Sequence, residues 1–252
     1  MLESMGPQRK SFWTFWTTLP GVLTGIAGLL GAITALIIAL RPPVLPIHHE
    51  ESTIPANWPL IALETFAKEK SAWMVGSFLE EPAVPRFHLS VADGVYRWEI
   101  ESQSDTASGR FVISPYPSAR NFMVAVDVRV TDLTPLLTST TSLVFGSDRD
   151  EQYIFSVSSS RYFTLYLDDI TNKYMTRAID WTPIGVRFVP NIWNRLSVVV
   201  DEGLVNCYLN AQYLGSYKYN GFIGGKVGLS VQLDHKGSAT FEFDNFEFRR
   251  KP

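Results

Sequence analysis

From Gly94 to Ser102 the chain reads "GVYRWEIES", which puts Val95, Arg97, Glu99 and Glu101 on one side of an extended strand and Tyr96, Trp98 and Ile100 on the other. The same period of two returns in "NFMVAVDVRV", where Phe122, Val124, Val126 and Val128 share a face. It continues through "EQYIFSVS", "RYFTLYLDD", "NRLSVVVD", "LVNCYLN", "KVGLSVQLD" and "ATFEFDNFEF". Turn-forming stretches "SDRDE", "DEG", "LNAQ" and "HKGS" separate these runs, and no segment after Trp58 shows a helical period. Many short strands without a strand–helix–strand rhythm predict an all-β, two-sheet antiparallel jelly-roll sandwich over residues 60–252.

The first part of the chain has a different texture. Ser11 to Leu40 holds no charged residue, and Leu19–Leu40 ("LPGVLTGIAGLLGAITALIIAL") is almost wholly apolar or small. As a helix rising 1.5 Å per residue, this run reaches roughly 33 Å, enough for a hydrocarbon core of about 30 Å. The expectation is a single transmembrane α-helix over residues 19–40, preceded by a short cytoplasmic or interfacial segment, residues 1–18. The run exceeds the usual apolar length of a signal peptide, and no small-x-small cleavage pattern precedes Arg41, so a retained signal-anchor is expected. Arg9 and Lys10 before the span, against Arg41 and "HHEE" after it, predict a cytoplasmic N-terminus and an extracytoplasmic β-domain. The chain has no Asn-x-Ser/Thr sequon, which suits a bacterial cell surface. Gly21, Gly25, Ala27, Gly31 and Ala35 place small side chains at helical spacing, a pattern that permits a helix-mediated oligomer. Residues 41–59, with five prolines, read as an extended linker.

Several function classes drop out on composition. A net charge of −3 gives no electrostatic footprint for nucleic acid. His48, His49, His88 and His235 have no metal-ligand spacing, and no nucleophile elbow or phosphate loop is present. Cys207 is the one cysteine, so no internal disulfide forms. No cofactor is expected. "SDRDE" (Ser147–Glu151) has oxygen donors for Ca²⁺, with a plain charged hairpin as the competing reading.

"ETFAKEKSAWMVGSF" followed by "VADGVYRWEIE" resembles the opening of bacterial concanavalin A-like (laminin G-like) jelly rolls, and "NIWNRLSVVVDEGLVNCYLNAQYLGSY", "GGKVGLSV" and "FEFDNFEF" follow in the order those domains show. The second domain is also similar to 3-keto-disaccharide hydrolase type domains and, more distantly, to family-16 glucanases. It departs from the usual "NG" turn at Asn210 and Ala211. The resemblance implies the fold and leaves activity open. It also directs attention to aromatic residues in the lectin-like strand region. Tyr162, Tyr166, Tyr174 and Trp181, with Asp168 and Arg177 as polar neighbours, are the candidate ligand-binding residues.

The string "FEFDNFEF" (241–248) contains Glu-x-Asp-x-x-Glu, the spacing of a retaining β-glucanase site. Simple alternation puts Glu242 and Asp244 on one face but sends Glu247 to the Phe243 face unless a bulge intervenes. In the glucanases this motif lies mid-chain, whereas here it closes the sequence. The phenylalanines therefore read as core and the acids as solvated or turn-forming, with no catalytic residue assigned. The reading is a membrane-anchored module binding glycan or a protein partner. A glycoside or keto-sugar hydrolase and a structural docking subunit are the rivals.

Overall fold

The computed structural model describes residues 54–55, 57–67, 72–79, 85–134, 138–147, 151–185 and 188–252. The apolar run Leu19–Leu40, its small-residue positions and most of the Pro-rich linker lie outside them. Among the described residues no helix is long and apolar enough to cross a membrane.

The described residues form two antiparallel sheets. The nine-stranded sheet contains β1 (Leu60–Glu64), β2 (Gly76–Leu79), β3 (Pro85–Ala92), β4 (Val95–Ser102), β6 (Phe122–Thr131), β11 (Asn194–Asp201), β12 (Leu204–Leu209), β13 (Gln212–Lys218) and β15 (Gly237–Arg250). The six-stranded sheet contains β5 (Ser108–Ile113), β7 (Ser139–Ser147), β8 (Glu151–Ser158), β9 (Tyr162–Asp169), β10 (Tyr174–Pro183) and β14 (Lys226–Leu233). Strand order is β13-β12-β11-β6-β15-β4-β3-β2 in the first, with β1 also paired to β15, and β10-β9-β8-β7-β14-β5 in the second.

The period-two pattern explains the packing. From the nine-stranded sheet, Trp98, Phe122, Val198, Phe241 and Phe243 turn inward and meet Phe145, Phe155 and Leu165 of the six-stranded sheet in one buried cluster. Each large side chain of this kind contributes roughly 1.5–3 kcal/mol by leaving water. Outward positions of the same strands carry charge on the nine-stranded sheet, as at Arg97, Glu99 and Arg129.

Part of the expected linker packs on the sandwich. Ile54 and Trp58 sit with Tyr213 against Met123, Ala125, Val199 and Tyr208, a second apolar cluster separate from the main core. Arg249 Nη1 donates to the Trp58 carbonyl at 2.8 Å. The spacer's C-terminal end is thus a strap across the outer face of the nine-stranded sheet.

The β12–β13 hairpin resolves the departure at "NA". Asn210 (φ 52°) and Ala211 (φ 64°) both adopt left-handed backbone, the requirement of a type I′ turn. An alanine fills the position where glycine carries no steric cost.

Candidate functional site

The acidic string occupies β15, and its geometry turns on one extra residue. Asp244 pairs with Asp127 of β6, and the next registered pair is Glu247 with Ala125, so three steps on β15 match two on β6. Asn245 is the extra residue, with φ at 48°. The bulge brings Glu242, Asp244 and Glu247 to the same outward face, while Phe241, Phe243, Phe246 and Phe248 are all buried in the core.

Glu242 is not solvated, which corrects the expectation from sequence, whereas Asp244 accepts the Asn245 N–H at 2.7 Å at the bulge, the turn-forming role. Glu242 is only 5% exposed. Its Oε1 accepts from Arg97 Nε at 3.2 Å and Nη2 at 3.0 Å, and its Oε2 accepts from Arg129 Nε at 2.8 Å and from Arg129 Nη2. Register explains the meeting: Glu242 stands opposite Arg97 on β4 and opposite Arg129 on β6. Burial raises the Glu242 pKa, but the hydrogen bonds and positive charges of Arg129 and Arg97 outweigh it and hold the carboxyl below its ordinary value. A general acid needs the opposite shift, since it must carry a proton near neutral pH.

Glu247 is tied in the same way, to Arg195 and Arg249. Arg195 also reaches Asp127 at 2.9 Å, and Asn245 Nδ2 donates to Asp127 at 2.9 Å and to Asp244 at 3.3 Å. Burial pushes the Asp244 pKa up and Asp127 adds to the shift, against the Asn245 N–H that lowers it. Arg129 lies over the Trp193 ring at 4.6 Å. The string is the spine of an ion-pair ladder on the nine-stranded sheet.

The outer face of the six-stranded sheet is built differently. Cross-strand registers align Ser230, Ser142, Ser156 and Thr164 in one row, and Gln232, Thr140 and Ser158 in the next. Short hydrogen bonds knit these hydroxyls together: Ser142 to Ser156 at 2.7 Å, Ser158 to Ser160 at 2.7 Å, and Thr164 Oγ1 to the Ile179 carbonyl at 2.7 Å.

At the end of this face lies a cleft of about 360 Å³. Thr138, Thr140, Ser158 and Ser160 contribute hydroxyls, Gln232 and Asp234 contribute an amide and a carboxylate, and Tyr162 and Trp181 contribute rings. Tyr162 is 42% exposed and Trp181 39%, so both present ring surface to solvent. Trp181 reaches the cleft through a second irregularity. Between Ile179 and Thr182, β10 advances three residues while β9 advances two, a bulge that re-aims the intervening side chains. Asp180 fixes it by accepting the Trp181 N–H at 2.8 Å.

The structure therefore brings together two of the six residues expected from sequence. Tyr166 lies further along the same face, half-buried, its phenol pKa raised by burial. Asp168 is at the far end of that face and accepts from Gln152 at 3.0 Å. Arg177 stands opposite Tyr166 and pairs with Asp180 at 3.2 Å. Tyr174 stands opposite Asp169 and so falls on the other face of the sheet from Tyr162. Gln232, Asp234 and the hydroxyls were missed. The alternating Ser/Thr in "STTSLVFGS" and "SVSSS" was their one visible signal. Of the possible Ca²⁺ segment, residues 148–150 lie outside the described residues, and no group of three metal-ligating side chains occurs among the described ones.

A larger cleft, about 790 Å³, lies at the β2–β3–β4 end of the nine-stranded sheet. Its lining mixes Arg86, His88 and Lys236 with Glu99, Glu101 and Asp132, and it has no tyrosine or tryptophan. The smaller cleft has the chemistry for stacking a ring against an apolar face while hydrogen-bonding its edge.

No family model matches the chain, and no curated protein matches it. Solved structures do. The catalytic domain of an endo-1,3-β-glucanase (laminarinase) from Thermotoga petrophila aligns at 9% identity, covering 78% of this chain and 99% of that one, with TM-score 0.50. The κ-carrageenase of Pseudoalteromonas carrageenovora, in complex with an oligosaccharide of κ-carrageenan, aligns at 12% identity over 83% of this chain and 98% of that one, TM-score 0.52. A Bacillus subtilis protein of unknown function with a galectin-like fold aligns at 11% identity over 76% and 96%, TM-score 0.52. The sandwich is a concanavalin A-like jelly roll. At these identities the likeness concerns fold.

Proposed function

We propose that this chain is a non-catalytic glycan-binding module and that the cleft of Tyr162 and Trp181 is its binding site. One observation carries the reading: two partly exposed rings line the same cleft as four hydroxyls, an amide and a carboxylate. Sugars are recognised in this way, their C–H faces stacking on aromatic rings and their hydroxyls exchanging hydrogen bonds with short polar side chains. The carbohydrate-active proteins among the fold neighbours support the reading. So does the arginine pairing of Glu242 and Glu247, which ties up both glutamates of the glucanase-like string.

Leu19–Leu40 is proposed as the membrane anchor, with the β-domain outside the cell. Protease added to intact cells should then remove the β-domain. A protected domain, or a soluble product beginning near residue 41, would overturn the anchor.

The binding test uses the full-length chain in detergent micelles, screened against neutral and acidic polysaccharides. Trp181→Ala and Tyr162→Ala should each weaken any interaction at least about tenfold, the loss of roughly one good aromatic contact. Hydrolysis of a β-glucan that vanishes in Glu242→Gln would sink the non-catalytic reading.

A further inference from the structure

Charge at the cleft is one-sided. Asp234 is its one charged lining side chain among the described residues. Arg161 sits in the adjoining β8–β9 turn, where its backbone bonds Ser158 and Ile184, but its side chain does not line the cleft. Arg177, on the same face, is paired to Asp180. Asp234 is held in place from both directions: its N–H donates to the Thr138 carbonyl at 3.1 Å, and its Oδ1 accepts from Gln232 Nε2 at 3.3 Å. Its Oδ2 has no partner among the described residues.

We infer that this cleft selects uncharged sugar units and rejects sulfated or carboxylated ones. The inference rests on the glycan reading above and names the ligand class of that same site. A carboxylate only accepts hydrogen bonds. Sugar hydroxyls supply the donors that Asp234 needs. A sulfate group or a uronate's carboxylate supplies acceptors only and adds negative charge beside Asp234, with no lining cation among the described residues to offset the repulsion or the lost hydration. Rejection is therefore built into the site by an unfavourable contact as well as by the lack of a favourable one.

The full-length chain in detergent micelles would be titrated by calorimetry with size-matched oligosaccharides. The neutral set comprises β-glucan, galactan, mannan and xylan chains; the charged set comprises κ-carrageenan and polygalacturonate chains. At least one neutral chain should bind, with the charged set weaker by roughly tenfold or more at low salt, a gap that narrows as salt screens the carboxylate. Asp234→Asn should close much of that gap by strengthening charged-chain binding. If charged chains bind as tightly as neutral ones, and Trp181→Ala abolishes that binding, the inference is overturned and the glycan reading stands. An unchanged ratio in Asp234→Asn would also overturn it. Binding to neither set, or binding indifferent to both Trp181→Ala and Tyr162→Ala, would remove the glycan reading itself.

Discussion

The two outward faces of the sandwich solve the same problem with opposite chemistry. Along β15 of the nine-stranded sheet, charged residues meet across strands and pair: Glu242 lies between Arg97 and Arg129, and Glu247 between Arg195 and Arg249. On the six-stranded sheet the outward positions are short hydroxyls and amides, with the rings of Tyr162 and Trp181 left partly exposed. A face whose charges are already paired has little left to offer a ligand. A face of small neutral groups beside free ring surface does. The acidic motif thus lies on the face that supports the fold, and the less conspicuous residues make the candidate site.

Glu242→Gln should produce the largest difference between the faces. Removing the anion leaves two partly buried guanidinium groups facing each other. Breaking a fully buried pair costs about 3–5 kcal/mol, and the exposure of the arginines reduces this to about 2 kcal/mol. In thermal unfolding this is a fall of roughly 5 °C. A fall below about 1 °C would show that the ladder is decorative.

Acid sharpens the same contrast. The Glu242 pKa is lower folded than unfolded, so its contribution to stability is present above the unfolded value and lost as pH falls through the folded one. The Asp244 pKa is raised, so its contribution is present below the unfolded value and lost as pH rises through the folded one. Melting curves between pH 3 and 7, roughly the carboxylate range, should therefore lose their acid slope in Glu242→Gln. Asp244→Asn should raise the melting temperature slightly at neutral pH. The reverse pairing of outcomes would contradict the assignment of the ion pairs.

Trp181→Ala belongs to the other face and should behave oppositely, changing stability by no more than about 0.5 kcal/mol while abolishing stacking. A large loss of stability there would mean that the ring supports β10 and is not held for a ligand. The smallest effect is expected at the hairpin beside the ladder. Ala211→Gly relieves a left-handed alanine, at a cost in unfolded-chain entropy, for a net gain of about 0.5 kcal/mol. A lower melting temperature would argue against the type I′ turn.

Much of the sandwich was legible in sequence because burial on one face writes a period of two into a strand. "GVYRWEIES" and "NFMVAVDVRV" became β4 and β6 with their apolar sides inward, as read. The bulges were not legible. Asparagine tolerates left-handed backbone, but nothing local fixes a bulge at Asn245, which decides where Glu247 points, and the register slip before Thr182 decides where Trp181 points. Ion pairs were hidden for a related reason: Arg97 and Glu242 lie 145 positions apart and meet only through register. Tyr174 was grouped with Tyr162 on residue type, but strand pairing separates them. The cleft's hydroxyls were overlooked because alternating serines, as at Ser156, Ser158 and Ser160, carry no hydrophobic signal.

β15 joins β4 to β6, and β1 also pairs with it. As the chain is synthesised, β4 and β6 are complete well before residues 237–250 exist, and until then each lacks its neighbour. The two halves of the nine-stranded sheet therefore have no seam to close on, and the ion ladder has no spine. Closure is a late event of high sequence separation, the kind of step that slows folding and leaves unpaired edges waiting.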